Sequence, residues 1–148
     1  TFQVERKLIQ IVVAEGEMLE GNIGLVTIAN FDERCAEETI KAIETLLEQG
    51  AEKLIFDVRH NPGGYASELV ELLDYLLPEG DLFRTVRYDG KEHVDTSDSD
   101  CLEIPMAVLV NASSYSAAEF FLLSFQLPKK LIELFYLKFE HNNSPVLK

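Results

Sequence analysis

Three short runs rich in β-branched and aliphatic residues set the architecture of this chain: IGLVTIANF (23–31), KLIFDV (53–58) and IPMAVLV (104–110). Each is short, apolar on both faces of a strand and bounded by turn or helix signals, the pattern of a buried strand. Amphipathic segments separate them. In DERCAEETIKAIETLLEQG (32–50), Asp32 is placed to cap, acids fill the first turn, Ile40, Ile43, Leu46 and Leu47 form an apolar stripe, and Gly50 ends the helix. YASELVELLDYLL (65–77) repeats the pattern and stops at Pro78 and Gly80. LFRTVRYDGKEHVDTSDSD (82–100) reads as a strand, a turn at Asp89-Gly90 and a weaker return strand with a solvated acidic end. The stretch before residue 23 begins with β-branched residues and passes into a polar, glycine-containing connection. Strand–helix–strand–helix–hairpin–strand–helix predicts an α/β fold with a mostly parallel sheet, right-handed crossovers and flanking helices.

With 148 residues the chain fits one domain and can bury a sizeable core. A net charge of −13 argues against nucleic acid or an anionic membrane as partner. No apolar run approaches the ~20 residues of a membrane span, and no signal-peptide pattern is visible. Cys35 and Cys101 have neither metal nor redox spacing. The charge is uneven: residues 1–120 hold 24 acids and 9 bases, whereas residues 121–148 hold 2 acids and 4 bases.

In an open α/β sheet the functional crevice lies at the carboxyl ends of the strands. Two of those ends carry unusual loops. RHNPGG (59–64) follows the second run, and NASSYSAAE (111–119) follows the third. Glycines let backbone N–H groups face a cleft without a Cβ in the way. A serine at a helix N-terminus sits in the positive field of about half a charge. Together the loops have the parts of a nucleophile and an oxyanion hole. The same residues also fit a plain turn and a serine-capped helix, and the arrangement is not the G-x-S-x-G elbow of α/β-hydrolases.

IGLVTIANF, KLIFDVRHNPGG and PMAVLVNASSYSAAEFF, in this order and spacing, resemble the core of the carboxyl-terminal processing, or tail-specific, proteases. SYSAAE (114–119) matches the family's nucleophile motif, with Tyr115 where a small residue is usual. The resemblance covers about residues 20–126 and implies a Clp protease/crotonase-like core, incomplete at both ends. Residues 1–13 resemble the remnant of a preceding PDZ-type segment, 14–126 a partial peptidase core and 127–148 an atypical tail. It further implies a serine endopeptidase with Ser116 as nucleophile, amides of Gly63 or Gly64 and of Ala117 as oxyanion donors, Ser113 and Ser114 as cap or loop residues, and neither metal nor other cofactor. The partners so implied are unfolded or C-terminal peptide segments, in an extracytoplasmic setting.

A serine hydroxyl needs a base. The family's base is a lysine in a glycine-flanked turn after a further strand. No Gly-Lys-Gly occurs in this chain, and the corresponding stretch reads FEHNNSP around His141. Lys129 and Lys130 lie beyond a helix that starts at Ser116, more than ~15 Å away at 1.5 Å per residue, and nothing beside Pro128 suggests the burial that a lysine base requires. Lys138 qualifies only if the tail folds back. His60, inside the glycine loop, and the more remote His93 are the other substitutes, and three scattered histidines do not make a metal site. Glu119 reads as a first-turn acid and Asp57 as an anchor for the loop through Arg59. The expectation is therefore weak or absent activity. The alternative is a non-catalytic module that binds extended peptides or associates with itself through the apolar LIELFYLKF of the tail.

Overall fold

The structure is a computed structural model and describes residues 11–125. Its elements run β1 (Ala14–Leu19), β2 (Ile23–Ile28), α1 (Cys35–Glu48), β3 (Lys53–Asp57), α2 (Ala66–Leu76), β4 (Gly80–Val86), β5 (Glu92–Ser97), β6 (Met106–Leu109) and α3 (Ala117–Ser124). The three expected strands lie in one sheet of order β1-β2-β3-β6. β2, β3 and β6 run parallel, and β1 pairs antiparallel with β2.

The register explains the core. Val26, Phe56 and Val108 stand opposite one another on three successive strands, and Leu54 stands opposite Met106. Alternation along each strand turns these side chains and Ile28 to the same face. That face is buried together with the apolar side chains of the helices. α1 contributes Ile43 and Leu46, α2 contributes Leu69, Leu72, Leu73 and Leu76, and α3 contributes Ala117, Ala118 and Phe121. α1 lies on β1 and β2, and α2 lies against α1, α3 and the hairpin. Phe121 is the centre of an aromatic group, with ring centroids 5.0 Å from Phe125, 5.4 Å from Phe56 and 5.9 Å from Phe31. Each fully buried phenylalanine stabilises the fold by up to ~3 kcal/mol.

Two local expectations need correction. The polar connection before residue 23 is itself a strand. β1 carries Glu15, Gly16 and Glu17 exposed at the sheet edge, a composition that weakens intrinsic strand preference, and its pairing with β2 decides the outcome. Asp32 does not cap α1 with its side chain. The helix starts at Cys35 after Arg34, which has φ 74° and no side-chain cap. The first-turn amide of Ala36 instead donates to Glu68 Oε2 of α2 at 2.9 Å. The expected hairpin forms, with Gly90 in its turn, as a separate two-stranded sheet of β4 and β5. Among the described residues no helix is long and apolar enough to cross a membrane.

Candidate active site

β3 and β6 are neighbours and parallel, so their carboxyl ends open on the same side of the sheet. The loops that follow are stitched together. Val58 N–H donates to Leu109 O at 3.0 Å, and Tyr115 N–H donates to Asn61 O at 3.0 Å. The buried Ser114 hydroxyl donates to Val58 O at 2.7 Å and accepts from Asn111 N–H at 3.1 Å. Asn111 Oδ1 in turn accepts from the amides of His60 and Ser113, each at 3.0 Å. Asp57 anchors the start of the glycine loop. Its carboxylate accepts from Arg59 Nε at 2.9 and 3.0 Å and from the Arg59 amide at 3.0 Å. Burial works to raise the Asp57 carboxyl, but the Arg59 hydrogen bonds and charge together hold it below its ordinary 3.8.

Ser116 stands immediately before α3, with φ 53° and ψ −118°. A non-glycine residue in a sparsely populated backbone region costs roughly 1–3 kcal/mol and persists only where its surroundings dictate it. Here Ser116 N–H donates to Glu119 Oε2 at 2.9 Å, and Ser116 O accepts from Glu119 N–H at 2.9 Å and Phe120 N–H at 3.1 Å. Behind it, Ala117, Ala118, Phe121 and Phe125 lock α3 into the core. Ser116 itself is exposed. Glu119 is thus the expected first-turn acid.

The glycine loop touches this serine. A methyl group on Gly63 would stand 2.7 Å from Ser116 Cβ, 2.9 Å from Tyr115 O and 3.0 Å from Ala117 N, and Gly63 has φ +96°. A methyl group on Gly64 would stand 2.3 Å from Phe31 O. Phe31 N–H donates to Gly63 O at 2.9 Å and Tyr65 N–H to Phe31 O at 2.7 Å, which fixes the loop to the end of β2. The Gly63 amide is already used: it donates to Asn61 Oδ1 at 2.8 Å. The amides of Gly64 and Ala117 have no acceptor among the described residues.

The expected site residues Ser116, Gly63, Gly64 and Ala117 therefore come together. The candidate bases among the described residues, His60 and His93, make no hydrogen bond to Ser116. His60 Nε2 lies 2.9 Å from Asn111 Nδ2, which occupies its acceptor, and His93 lies on β5 beside Asp95 at 3.1 Å. The one Gly-Lys pair, Gly90-Lys91, sits in the hairpin turn, where Lys91 pairs with Asp89 at 3.5 Å. Lys129, Lys130, Lys138 and His141 lie outside the described residues, as do residues 1–10 and the tail from 127. No ammonium or imidazole hydrogen-bonds to the Ser116 hydroxyl, and no group of acids, histidines or cysteines is placed to hold a metal, among the described residues. Ser114 is the expected loop residue, and Asn61 and Asn111, to which the sequence assigned no role, join it in holding the two loops together. The available signal was Asn or Ser within the loop that leaves a buried strand, residues that bond back to the backbone.

The sequence profile of peptidase family S41 matches residues 22–132. The carboxy-terminal processing protease CtpA of Bacillus subtilis is 32% identical over 120 residues, covering 80% of this chain and 26% of that protein. The carboxyl-terminal-processing protease of Synechocystis is 28% identical over 123 residues, covering 80% of this chain and 29% of that protein. The chain thus spans between a quarter and a third of the length of these relatives. Among solved structures, the photosystem II D1 C-terminal processing protease superposes with a TM-score of 0.68 at 24% identity, over 82% of this chain and 35% of that one. A second, a peptidase-like protein from Parabacteroides merdae, gives a TM-score of 0.64 at 23% identity over 84% of this chain and 43% of its own. The core of the fold is that of the Clp protease type. With a family profile covering most of its length, in the order and spacing of strand, glycine loop and serine, this chain belongs to peptidase family S41.

Proposed function

We propose that the chain carries the nucleophile and oxyanion half of a serine endopeptidase site that acts on unfolded or C-terminal segments of proteins. The observation that carries this reading is the backbone of Ser116, held at φ 53° at the head of α3 with Gly63 against its Cβ. Such strain at an exposed serine is a cost without a packing return, and strained residues gather at functional sites. Ser116 Oγ would attack the carbonyl carbon of the scissile bond, forming a C–O bond while the carbonyl electron pair moves onto oxygen. The N–H groups of Gly64 and Ala117, which have no acceptor among the described residues, would hold that oxyanion, each worth ~3 kcal/mol when well placed. Collapse would break the C–N bond and leave an acyl-enzyme for water to cleave. The hydroxyl proton must pass to a base and on to the leaving amine. Among the described residues no lysine or histidine hydrogen-bonds to the Ser116 hydroxyl, and no Gly-Lys-Gly occurs in the sequence, which supports weak or absent peptide hydrolysis by this chain. That same absence supports the second reading, a module that binds extended peptides without cutting them. An extracytoplasmic setting and self-association through the apolar tail belong to the proposal as well.

The two halves of the reading separate experimentally. Treat the full chain with a serine-directed fluorophosphonate and map the adduct by mass spectrometry. Ser116 should label ahead of Ser67, Ser113 and Ser114, and an even spread would sink the nucleophile assignment. Then incubate the chain with a denatured protein, with Ser116→Ala as control. No measurable cleavage is expected. Cleavage lost in the variant would show that a base is present, and cleavage surviving in it would point to another nucleophile.

A further inference from the structure

We infer that Asn61 is a positioning residue that determines which glycine amide is left to face the cleft, an inference that rests on the peptidase reading of Ser116. Asn61 is wholly buried, at 0% exposure, and its side chain joins the glycine loop to the end of β2. Its Oδ1 accepts the Gly63 N–H at 2.8 Å, and its Nδ2 donates to Ile28 O, the last residue of β2, at 2.9 Å. Its own carbonyl accepts the Tyr115 N–H at 3.0 Å, one residue before Ser116, and its amide donates to Val58 O at 3.2 Å. One residue therefore ties the exits of β2 and β3, the glycine loop and the serine loop.

The chemistry selects asparagine. The site needs an acceptor toward Gly63 and a donor toward Ile28, and a carboxamide offers one of each in a single plane. An ionised aspartate would face the Ile28 carbonyl with a second acceptor, whereas a protonated one could donate to it. Alanine would leave a buried N–H and a buried C=O unpaired. With the Gly63 amide turned to Asn61, the amides of Gly64 and Ala117 are those left without an acceptor among the described residues. If Gly63 were released, a third donor would compete and the loop would lose its link to β2.

The test uses the full chain and amide exchange followed residue by residue, with protection corrected for intrinsic rates. In the wild type, Gly63 should be protected over Gly64 and Ala117 by roughly tenfold or more, the factor one hydrogen bond supplies. Asn61→Ala should remove the protection of Gly63 while Phe56 in β3 keeps its own. Asn61→Asp should lose the protection at neutral pH and regain it in acid as the carboxyl is protonated, a rescue that a space-filling role does not give. A wild-type Gly63 that exchanges as fast as Gly64, or a protected Gly63 in Asn61→Ala, would overturn the inference. Fluorophosphonate labelling of Ser116 should fall about 10²–10³-fold in Asn61→Ala, the loss expected of a disordered oxyanion hole. Unchanged labelling with Gly63 freed would overturn the positioning role. Failure of the wild type to label at Ser116, with Gly63 protected as expected, would instead reject the peptidase reading and leave the bonding of Asn61 established.

Discussion

Replacing Gly63 with alanine isolates the contact that joins the two loops, because the chain supplies its own control. Gly63 and Gly50 share the same φ of +96°. A methyl group at Gly50 meets nothing within 4 Å, whereas one at Gly63 stands 2.7 Å from Ser116 Cβ and within 3.0 Å of two backbone atoms. The left-handed backbone costs an alanine about 1–2 kcal/mol at either site. Only Gly63 adds overpacking, about 1–3 kcal/mol, since backbone cannot move aside as a flexible side chain can. Gly63→Ala should therefore be less stable than Gly50→Ala by ~1–3 kcal/mol. At about 4 °C per kcal/mol for a chain of this size, the difference in Tm is ~4–12 °C. Thermal denaturation followed by far-UV circular dichroism reads it directly. Fluorophosphonate labelling of Ser116 should also drop in Gly63→Ala and stay unchanged in Gly50→Ala. Equal losses of Tm in the two variants would refute the packing of the glycine loop on the serine, because backbone strain alone would then account for both.

Three further outcomes follow. Ser116→Gly should be more stable than Ser116→Ala by roughly 1–2 kcal/mol, since glycine alone relieves the φ of 53°; thermal melts of the two variants at matched pH decide it. The Asp57 carboxyl has a native pKa held below its ordinary value by Arg59, so its contribution is complete above the unfolded value and is lost as pH falls through the native one. Asp57→Asn should therefore be less stable than wild type at neutral pH and should flatten the acid limb of a stability–pH curve; a parallel curve would reject the linkage. Burial pushes the Cys35 thiol up to about 12, with nearby Glu68, Glu38 and Asp32 adding to it, while Cys101 is half-buried. A thiol reagent should titrate one cysteine, Cys101, in the native chain and both after unfolding; rapid native labelling of Cys35 would show that the core around α1 opens.

What the sequence determines by itself is the local content. The β-branched runs, the apolar stripes of α1 and α2, the Asp89-Gly90 turn and the glycine-rich loop are written in periodicities and turn chemistry that involve residues a few positions apart, and these carry the α/β alternation. The pairing of the glycine loop with the serine loop was legible too, because parallel neighbouring strands place their exits side by side. The tertiary structure decides what depends on a distant partner. β1 is a strand because β2 offers it an edge, despite its glutamates. α1 starts at Cys35 without a side-chain cap, and its first-turn Ala36 amide is held by Glu68, 32 residues further along the chain. The Gly63 amide is spent because Asn61 is held in turn by Ile28, 33 residues away. Ser116 adopts its strained backbone because Phe121 and Phe125 lock α3 on one side while Asn61 holds Tyr115 on the other. Local pattern can name the residues of such a site, but a hydrogen bond's partner across the fold is chosen only when the strands that carry both ends have packed.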